Sequence, residues 1–415
     1  MRKVLILAFT IFTLSAFSQR TKITSSYLFD GMEMKSDWGV IVEKNRIVQV
    51  APISKLGAAD TTIHYSDGTL MPGMIEGHSH VLLYPYNQTG WNDQVLKESR
   101  SLRAIRGGQM ATKNLMAGFT TIRDLGSEGA GYADVAIKRS IEMSIIEGPR
   151  MLVAGRAIVA TGSYGPSGFH PDFEVPLGAE AADGQNLITV TRDQIGKGAD
   201  FIKVYADYRW GPNRTARPTF SIEELKLIVE TARSSGRDVV AHAATAEGMR
   251  RATLAGVKTI EHGSDATPEV LQLMKEKGVA LCPTLAATHA INQYFYGWDG
   301  KDPEPEAILN KRKMFEMAMK SGVTIVAGGD VGVFPHGENA RELEMMVDYG
   351  MKNLDVLKSV TSVNAKAFGL KELGQIKEDY LADIIVVSGN PEKEIRSLYN
   401  IEMVMKDGRV IPIND

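Results

Sequence analysis

Cysteine is almost absent from this chain, and its absence excludes two kinds of architecture. Cys282 is the only cysteine in 415 residues. A disulfide framework needs cysteines in pairs, and a cysteine-based zinc site needs several thiolates. The sequence can therefore supply neither, and any metal site must use other donors.

The chain also lacks a strong excess of charge of either sign. Its formal net charge is -3, with 23% charged and 44% hydrophobic residues. Nucleic acids and anionic membranes attract proteins with concentrated positive charge, so we expect neither as a partner. The length and composition indicate a globular protein with a large core, and they leave room for one large and one small domain. Assembly into a homo-oligomer is compatible with this composition.

Long apolar runs are missing everywhere except at the N-terminus. There, the basic residues 1–3 precede the apolar residues 4–16, and AFS at 16–18 ends the run. This layout is typical of a secretory signal peptide, and the run is short for a membrane span. A short buried helix or an N-terminal anchor is the alternative. We predict that residues 1–18 are removed and that the mature protein is exported, to the periplasm or the extracellular space, without a membrane segment.

Short apolar runs alternate with longer amphipathic stretches through most of the chain. One such stretch opens with a capping-box pattern, SIEE at 221–224. The eight apolar runs lie at 71–80, 119–124, 151–155, 201–205, 239–242, 259–262, 279–284 and 323–330. This alternation predicts a (β/α)8 TIM barrel, with an open doubly wound sheet as the alternative. Polar residues follow many of the runs, which favours the barrel, because barrel active sites lie where the strands end.

Both ends of the mature chain have the pattern of short strands. Residues 40–43 and 46–50 flank a polar turn, and Asp407-Gly408 separates two apolar runs near the C-terminus. Such turns between apolar runs predict β-hairpins. We expect residues 19–70 and 371–415 to form a small β-sandwich domain beside a barrel built from residues 71–370.

Histidines and one aspartate occur where the predicted barrel strands end. His78 and His80 are two residues apart, so they share one face of the first strand. His242, His262 and Asp330 end the fifth, sixth and eighth strands. Imidazole nitrogens and carboxylate oxygens are donors that zinc and similar ions accept. A single histidine of this kind is more often a core or loop residue, but the set together predicts a metal site.

Lys203 stands inside the apolar run 201–205, near the end of the fourth strand. A lysine that is buried, charged and unpaired would destabilise the fold. A salt bridge to a neighbouring acid is one explanation. The other is carbamylation by CO2, which converts the amine into a carboxylate able to bridge two metal ions.

With these motifs the chain resembles the metal-dependent amidohydrolases of the binuclear type, in the prolidase-like and imidazolonepropionase-like group. The matching segments are GHSH at 77–80, FIKV at 201–204, VAHA at 240–243, IEHG at 260–263 and AGGD at 327–330. The resemblance extends over nearly the whole mature chain. It implies a hydrolase that acts on carbon–nitrogen bonds.

The resemblance also implies a role for each ligand. His78 and His80 would hold the more buried of two divalent ions, expected to be zinc, together with Asp330. His242 and His262 would hold the other ion, and the carbamylated lysine and a hydroxide would bridge the two. Asp330 would take the proton of the attacking water and pass it to the leaving amine, as general base and then general acid.

The substrate implied by the resemblance is a small molecule with an amide bond, best represented by an Xaa-Pro dipeptide. Hydrolysis of a cyclic amide or lactam is an alternative, and so is a mononuclear deaminase-type reaction. Deaminases of this superfamily carry a glutamate soon after the fifth-strand histidine, whereas this chain has AATA at 243–246. A non-catalytic barrel is a further class, disfavoured because every ligand position is filled.

Three more residues receive roles from their positions. Tyr205 lies two residues after Lys203, so it is expected to share the interior face and to contact the substrate, with a rim tyrosine packed on its neighbours as the alternative. His170 lies in the glycine-rich loop 161–170, which could act as a mobile lid; it is a second candidate for substrate contact, and an exposed loop histidine is the alternative. Asp124, at the end of the second strand, is expected to have a structural hydrogen-bonding role.

Overall fold

The computed structural model describes residues 19–170 and 172–412. The predicted signal peptide, residues 1–18, lies outside the described residues, so its removal and the export of the protein stay predictions. Within the described ranges, no helix combines the length and apolar character needed to cross a membrane.

The described residues form strands and helices that alternate through the middle of the chain. The strands are β1 (Arg20–Phe29), β2 (Met34–Ser36), β3 (Trp38–Glu43), β4 (Arg46–Pro52), β5 (Thr61–Pro72), β6 (Met74–Ser79), β7 (Phe119–Asp124), β8 (Arg150–Val153), β9 (Ile158–Val159), β10 (Glu180–Ala181), β11 (Ile202–Tyr205), β12 (Asp207–Tyr208), β13 (Arg217–Pro218), β14 (Val239–Thr245), β15 (Thr259–Asp265), β16 (Ala280–Cys282), β17 (Ile384–Ser388), β18 (Ile401–Lys406) and β19 (Arg409–Ile411). The α-helices are α1 (Trp91–Leu96), α2 (Arg100–Met116), α3 (Ala133–Glu142), α4 (Asn186–Gly196), α5 (Ile222–Arg233), α6 (Ala246–Ala255), α7 (Pro268–Lys277), α8 (Leu285–Tyr296), α9 (Glu306–Ser321), α10 (Ala340–Asp348), α11 (Asn353–Lys358) and α12 (Asn364–Ala367). A π-helical turn, Ser359–Val363, joins α11 to α12.

Parallel strands close into a barrel, which confirms the predicted (β/α)8 fold. One set pairs in the order β6-β7-β8, and another in the order β9-β11-β14-β15-β16. The eighth segment, residues 323–330, is irregular but bonds to both neighbours. Val326 N donates to Leu281 O at 2.9 Å, and Gly77 N donates to Ala327 O at 3.0 Å. The eighth segment therefore completes the ring without forming a regular strand.

The third barrel strand consists of two pieces, β8 and β9, rather than one. Asp200 N donates to Val153 O at 2.8 Å, and Ile158 pairs with Val204. Both pieces therefore lie on the same side of the barrel: β8 contacts the residues just before β11, and β9 pairs with β11 itself. Gly155 lies between them with φ 71°, a left-handed conformation that glycine adopts without steric cost.

The two ends of the chain form a small β domain, as predicted. Its strands follow one hydrogen-bonded path, β19-β18-β17-β5-β1-β3-β4, with β2 attached to β1. Both predicted hairpins are present: β3 pairs with β4 and β18 pairs with β19, each antiparallel. β5 ends at Pro72 and β6 begins at Met74, so the small domain runs directly into the barrel.

Strand alternation divides β11 between the hydrophobic core and the barrel interior. Ile202 and Val204 pack in the main core, which also contains Leu225 and Ile228 of α5. Successive side chains of a strand point to opposite faces, so Lys203 points into the barrel. The capping box of α5 is also present, with Ser221 and Glu224 bonding each other's backbone, as the sequence predicts.

Candidate metal centre

Three predicted ligands converge on one point at the mouth of the barrel. His78 lies in β6, His80 follows it directly, and Asp330 ends the eighth segment. The Nε2 atoms of both histidines lie 3.5 Å from Oδ1 of Asp330. This Oδ1 is buried and has no hydrogen-bond partner among the described residues. Two imidazole nitrogens and an unpartnered carboxylate oxygen fit the donor set of a divalent ion such as zinc.

Hydrogen bonds on the far side of each ring determine which nitrogen faces the centre. His80 Nδ1 lies 2.9 Å from the carbonyl oxygen of Gly126, which can only accept, so Nδ1 carries the proton. His78 Nδ1 lies 3.0 Å from Oε2 of Glu261. Both Nε2 lone pairs are then free to bind a metal, which is the usual arrangement around metal-bound histidine.

His242 and His262 complete the cluster from the neighbouring strands β14 and β15. The ligand atoms of His78, His262 and Asp330 all lie within 4.8 Å of one another. The ring centroids of His242 and His262 are 4.5 Å apart. Burial, followed by nearby positive charge, holds the pKa values of His78, His242 and His262 well below the usual range. These rings are therefore neutral, the form in which imidazole binds metal.

Two of the candidate ligands have a left-handed backbone conformation, which directs their side chains toward the centre. His262 has φ 76° and Asp330 has φ 63°. Such residues cost about 1–3 kcal/mol each and are found mainly at functional sites. At His262 the conformation breaks strand alternation, so that Glu261 and His262 both reach the interior although they are neighbours. Lys311 Nζ donates to the carbonyl oxygen of His262 at 2.7 Å and stabilises this turn of the chain.

Lys203 is 1% exposed, inside the barrel. Glu261, Asp330 and Glu128 are the acids near enough to act on its pKa, but among the residues that the structure describes none of them forms a salt bridge with it. The salt-bridge explanation is therefore not supported. Burial lowers the pKa of Lys203. A neutral amine is the form that reacts with CO2, so the environment favours the chemistry that carbamylation requires.

Glu261 is a functional residue that the sequence analysis left without a role. It is completely buried, and its two oxygens bind different partners: Oε2 lies 3.0 Å from His78 Nδ1, and Oε1 accepts from Arg123 Nη2 at 2.9 Å. Arg123 also donates to Gly77 O at 2.7 Å. The sequence did contain a signal, because an acid inside a buried strand is as costly as Lys203 unless it is paired.

The predicted interior position of Tyr205 is confirmed. Its ring stacks on His242, with centroids 4.6 Å apart and planes 17° from parallel. Its hydroxyl donates to Oε1 of Glu128 at 3.3 Å. Tyr205 therefore forms one wall of the site, beside a ligand.

The structure does not bring His170 to this cluster. Its side chain is 65% exposed, and it lies 3.4 Å from Asp172 and against Phe173. Substrate contact by His170 stays a prediction without support from the described contacts. Asp124 has the predicted structural role, because its Oδ2 accepts from the backbone nitrogen of Val81 at 2.6 Å.

Known proteins are similar to this chain in sequence and in architecture. Residues 69–411 match the profile of the amidohydrolase family. Ochratoxinase of Aspergillus niger is 32% identical over 361 residues, which cover 79% of this chain and 72% of that protein. The structure of an Xaa-Pro dipeptidase with bound methionine is similar with a TM-score of 0.84 and 29% identity, over 94% of this chain and 99% of that one. A prolidase complexed with N-methylphosphonate-L-proline gives a TM-score of 0.81 and 26% identity, over 94% and 99% of the two chains.

Proposed function

Because this chain belongs to the amidohydrolase family, we propose that it hydrolyses the amide bond of a small substrate, with an Xaa-Pro dipeptide as the first candidate. Membership of the family makes it a hydrolase that acts on carbon–nitrogen bonds. One observation carries the proposal: the Nε2 atoms of His78 and His80 converge on the unpartnered Oδ1 of Asp330. This is a hydrolytic centre arranged around a buried proton acceptor.

The residues that would bind metal surround this point from five segments of the barrel. We assign the binding of two divalent ions, with zinc as the first candidate, to His78, His80, Lys203 as its carbamate, His242, His262 and Asp330. When bound, such ions polarise the scissile carbonyl and lower the pKa of the attacking water. The neutral imidazoles and the buried lysine support this assignment.

Asp330 is the group that moves protons in the proposed reaction. Burial raises its pKa to about 6, although the neighbouring His80 and Lys203 side chains act in the opposite direction. A carboxylate with a pKa near the working pH serves as general base and then as general acid. The carboxylate of Asp330 would accept the proton of the attacking water and return it to the leaving amine, while its Oδ1 faces the Nε2 atoms of His78 and His80.

The dipeptide assignment is supported by relatives that extend over almost the whole fold. An Xaa-Pro dipeptidase and a prolidase match 94% of this chain. The segment after His242, residues 243–246, contains no acid, which argues against a deaminase. Tyr205 beside His242 offers an aromatic wall to the substrate.

A hydrolysis screen tests this function. The purified full chain is incubated with a library of Xaa-Pro and other dipeptides, N-acyl amino acids and lactams, and released amino acids are quantified. We expect release of proline from Xaa-Pro substrates, lost in Asp330→Asn. Hydrolysis of lactams alone would overturn the dipeptide assignment, and no hydrolysis of any carbon–nitrogen bond would overturn the proposed activity.

A further inference from the structure

A second buried carboxylate lies beside the centre, in the loop between β7 and α3. Glu128 is 4% exposed and adopts a left-handed φ of 46°. Its Oε2 accepts from Trp91 Nε1 at 2.8 Å and from the Tyr164 hydroxyl at 2.7 Å. Its Oε1 accepts only from the Tyr205 hydroxyl, at 3.3 Å. Each carboxylate oxygen can accept two hydrogen bonds, so Oε1 retains an unused position.

The donors to Glu128 are all neutral. Within residues 19–170 and 172–412, no lysine, arginine or histidine side chain lies within ion-pair distance of this carboxylate. Arg103 is close, but it donates to the backbone carbonyl of Glu128, at 2.7 Å. Buried carboxylates are normally paired with a cation, because burying an unpaired charge is costly. Glu128 is thus a buried carboxylate that accepts only from neutral donors.

Glu128 is adjacent to the metal centre on two sides. Tyr205, which donates to Glu128 Oε1, stacks on His242. Gly126, which accepts from His80, has its open face toward both groups: a Cβ at this position would lie 3.6 Å from Glu128 Oε1 and 3.8 Å from His80 Cε1. A single residue therefore separates Oε1 from each of two candidate ligands: Tyr205 separates it from His242, and Gly126 separates it from His80.

Aromatic side chains surround the same carboxylate. The ring centroid of Tyr164 lies 4.7 Å from that of Tyr205, 4.8 Å from that of Tyr208 and 5.3 Å from that of Trp91. Trp91, Tyr164 and Tyr208 are each partly exposed to solvent. Aromatic faces attract cations, and they do so more strongly where water is excluded. A carboxylate beside aromatic rings offers the chemistry that an organic ammonium group binds.

We propose that Glu128 binds the protonated α-amino group of the substrate, so that the enzyme selects dipeptides with a free amino terminus over N-acylated amino acids. The proposal rests on the proposed function. In a dipeptide the α-amino nitrogen is two bonds from the scissile carbonyl carbon. A substrate with its carbonyl at the metal centre therefore has its ammonium group in the space next to His80 and His242, where Glu128 Oε1 lies.

The test compares one dipeptide with and without the positive charge of its α-amino group. The dipeptide that the screen shows to be hydrolysed fastest is paired with its N-acetyl derivative, and kcat and KM are measured for both. We expect the wild-type kcat/KM to be higher for the free dipeptide by about 10- to 100-fold, the range for a hydrogen bond between charged groups. Glu128→Gln should lower this ratio toward one, mainly by raising KM for the free dipeptide. Glu276→Gln, an exposed position on α7, is the matched control and should retain the ratio.

The outcomes separate this proposal from the proposed function. Equal kcat/KM values for the two substrates in the wild type would overturn the role of Glu128 while dipeptide hydrolysis stands. So would a Glu128→Gln enzyme that keeps the wild-type ratio. If Glu128→Gln does not fold, Tyr164→Phe replaces it, because this change removes one donor to the carboxylate and should also lower the ratio. An unchanged ratio in Tyr164→Phe would then overturn the role of Glu128. Absence of hydrolysis of any dipeptide would instead overturn the dipeptide assignment, on which this proposal rests.

Discussion

His78 Nδ1 and Glu261 Oε2 lie 3.0 Å apart inside the barrel, and this contact connects the candidate metal centre to the core beneath it. Glu261 binds His78 with one oxygen and Arg123 with the other. Arg123 in turn donates to the backbone of β6, the strand that carries His78. The ring is thereby held with Nε2 toward Asp330 before any ion binds.

Replacing Glu261 should weaken metal binding although Glu261 is not itself one of the candidate ligands. Glu261→Gln removes the charge that holds His78 and leaves Arg123 buried without its partner. Loss of such an orienting contact typically lowers metal affinity by about 10- to 100-fold. Titration of the metal-free chain with zinc measures the change, with Glu276→Gln as the control. An unchanged affinity would show that Glu261 serves the barrel core alone.

Replacing Asp330 should remove activity and preserve the fold. Asn at this position keeps the size of the side chain, but it cannot take the proton of the attacking water. General acid–base catalysis typically accelerates a reaction by about 100- to 10,000-fold. We therefore expect kcat for Asp330→Asn to fall by at least about 100-fold. Circular dichroism should give the wild-type spectrum. Retention of a tenth of the wild-type kcat would contradict the assigned role.

The two predicted substrate contacts should behave differently. Tyr205→Phe keeps the ring on His242 but loses the hydroxyl bonded to Glu128, and a lost hydrogen bond of this kind lowers kcat/KM by about 2- to 10-fold. His170→Ala should change kcat/KM by less than about 2-fold, because surface substitutions away from such contacts have small effects. Steady-state kinetics on one dipeptide compares them. A larger effect at His170 would place the loop 161–170 over the site.

The pH dependence of stability should report a buried acid that is not one of the candidate ligands. Glu342 accepts from the backbone nitrogens of Leu285 and Ala286, and burial raises its pKa from 4.5 to about 8. Between these values the folded protein keeps a proton that the unfolded chain has released. The free energy of unfolding therefore falls as the pH rises from 4.5 to about 8. Glu76, with its pKa raised to about 7, acts in the same direction.

Glu342→Gln should reduce this slope, since glutamine does not titrate. Melting temperatures of the wild type and the variant, measured across that range, give the comparison. Lys311, whose pKa is lowered to about 8, has an effect of the opposite sign, but it falls above this range. A variant with the same slope as the wild type would show that Glu342 is not the acid responsible.

The sequence was sufficient to predict the barrel and the convergence of the candidate ligands at its mouth. Period-two alternation puts Lys203 and Tyr205 on one face, and parallel strands bring their carboxyl ends to one mouth. The hairpins of the small domain follow from polar turns between apolar runs, as at Lys44-Asn45. These features depend on local pattern, which a single sequence displays.

Other features depend on long-range contacts that no local pattern shows. His262 and Asp330 reach the centre through left-handed backbone, which the chain tolerates because surrounding contacts hold it there. Glu128 looks like an ordinary loop acid in sequence, and its burial results from Trp91 and Tyr164, which are distant in the chain.

Metal content tests the central claim most directly. The purified full chain and Lys203→Ala are loaded with zinc, dialysed and measured by inductively coupled plasma mass spectrometry. Two ions per chain in the wild type, and one or none in Lys203→Ala, is the predicted result. A wild type that binds one ion or none, or a Lys203→Ala chain that keeps two, would contradict the two-metal centre.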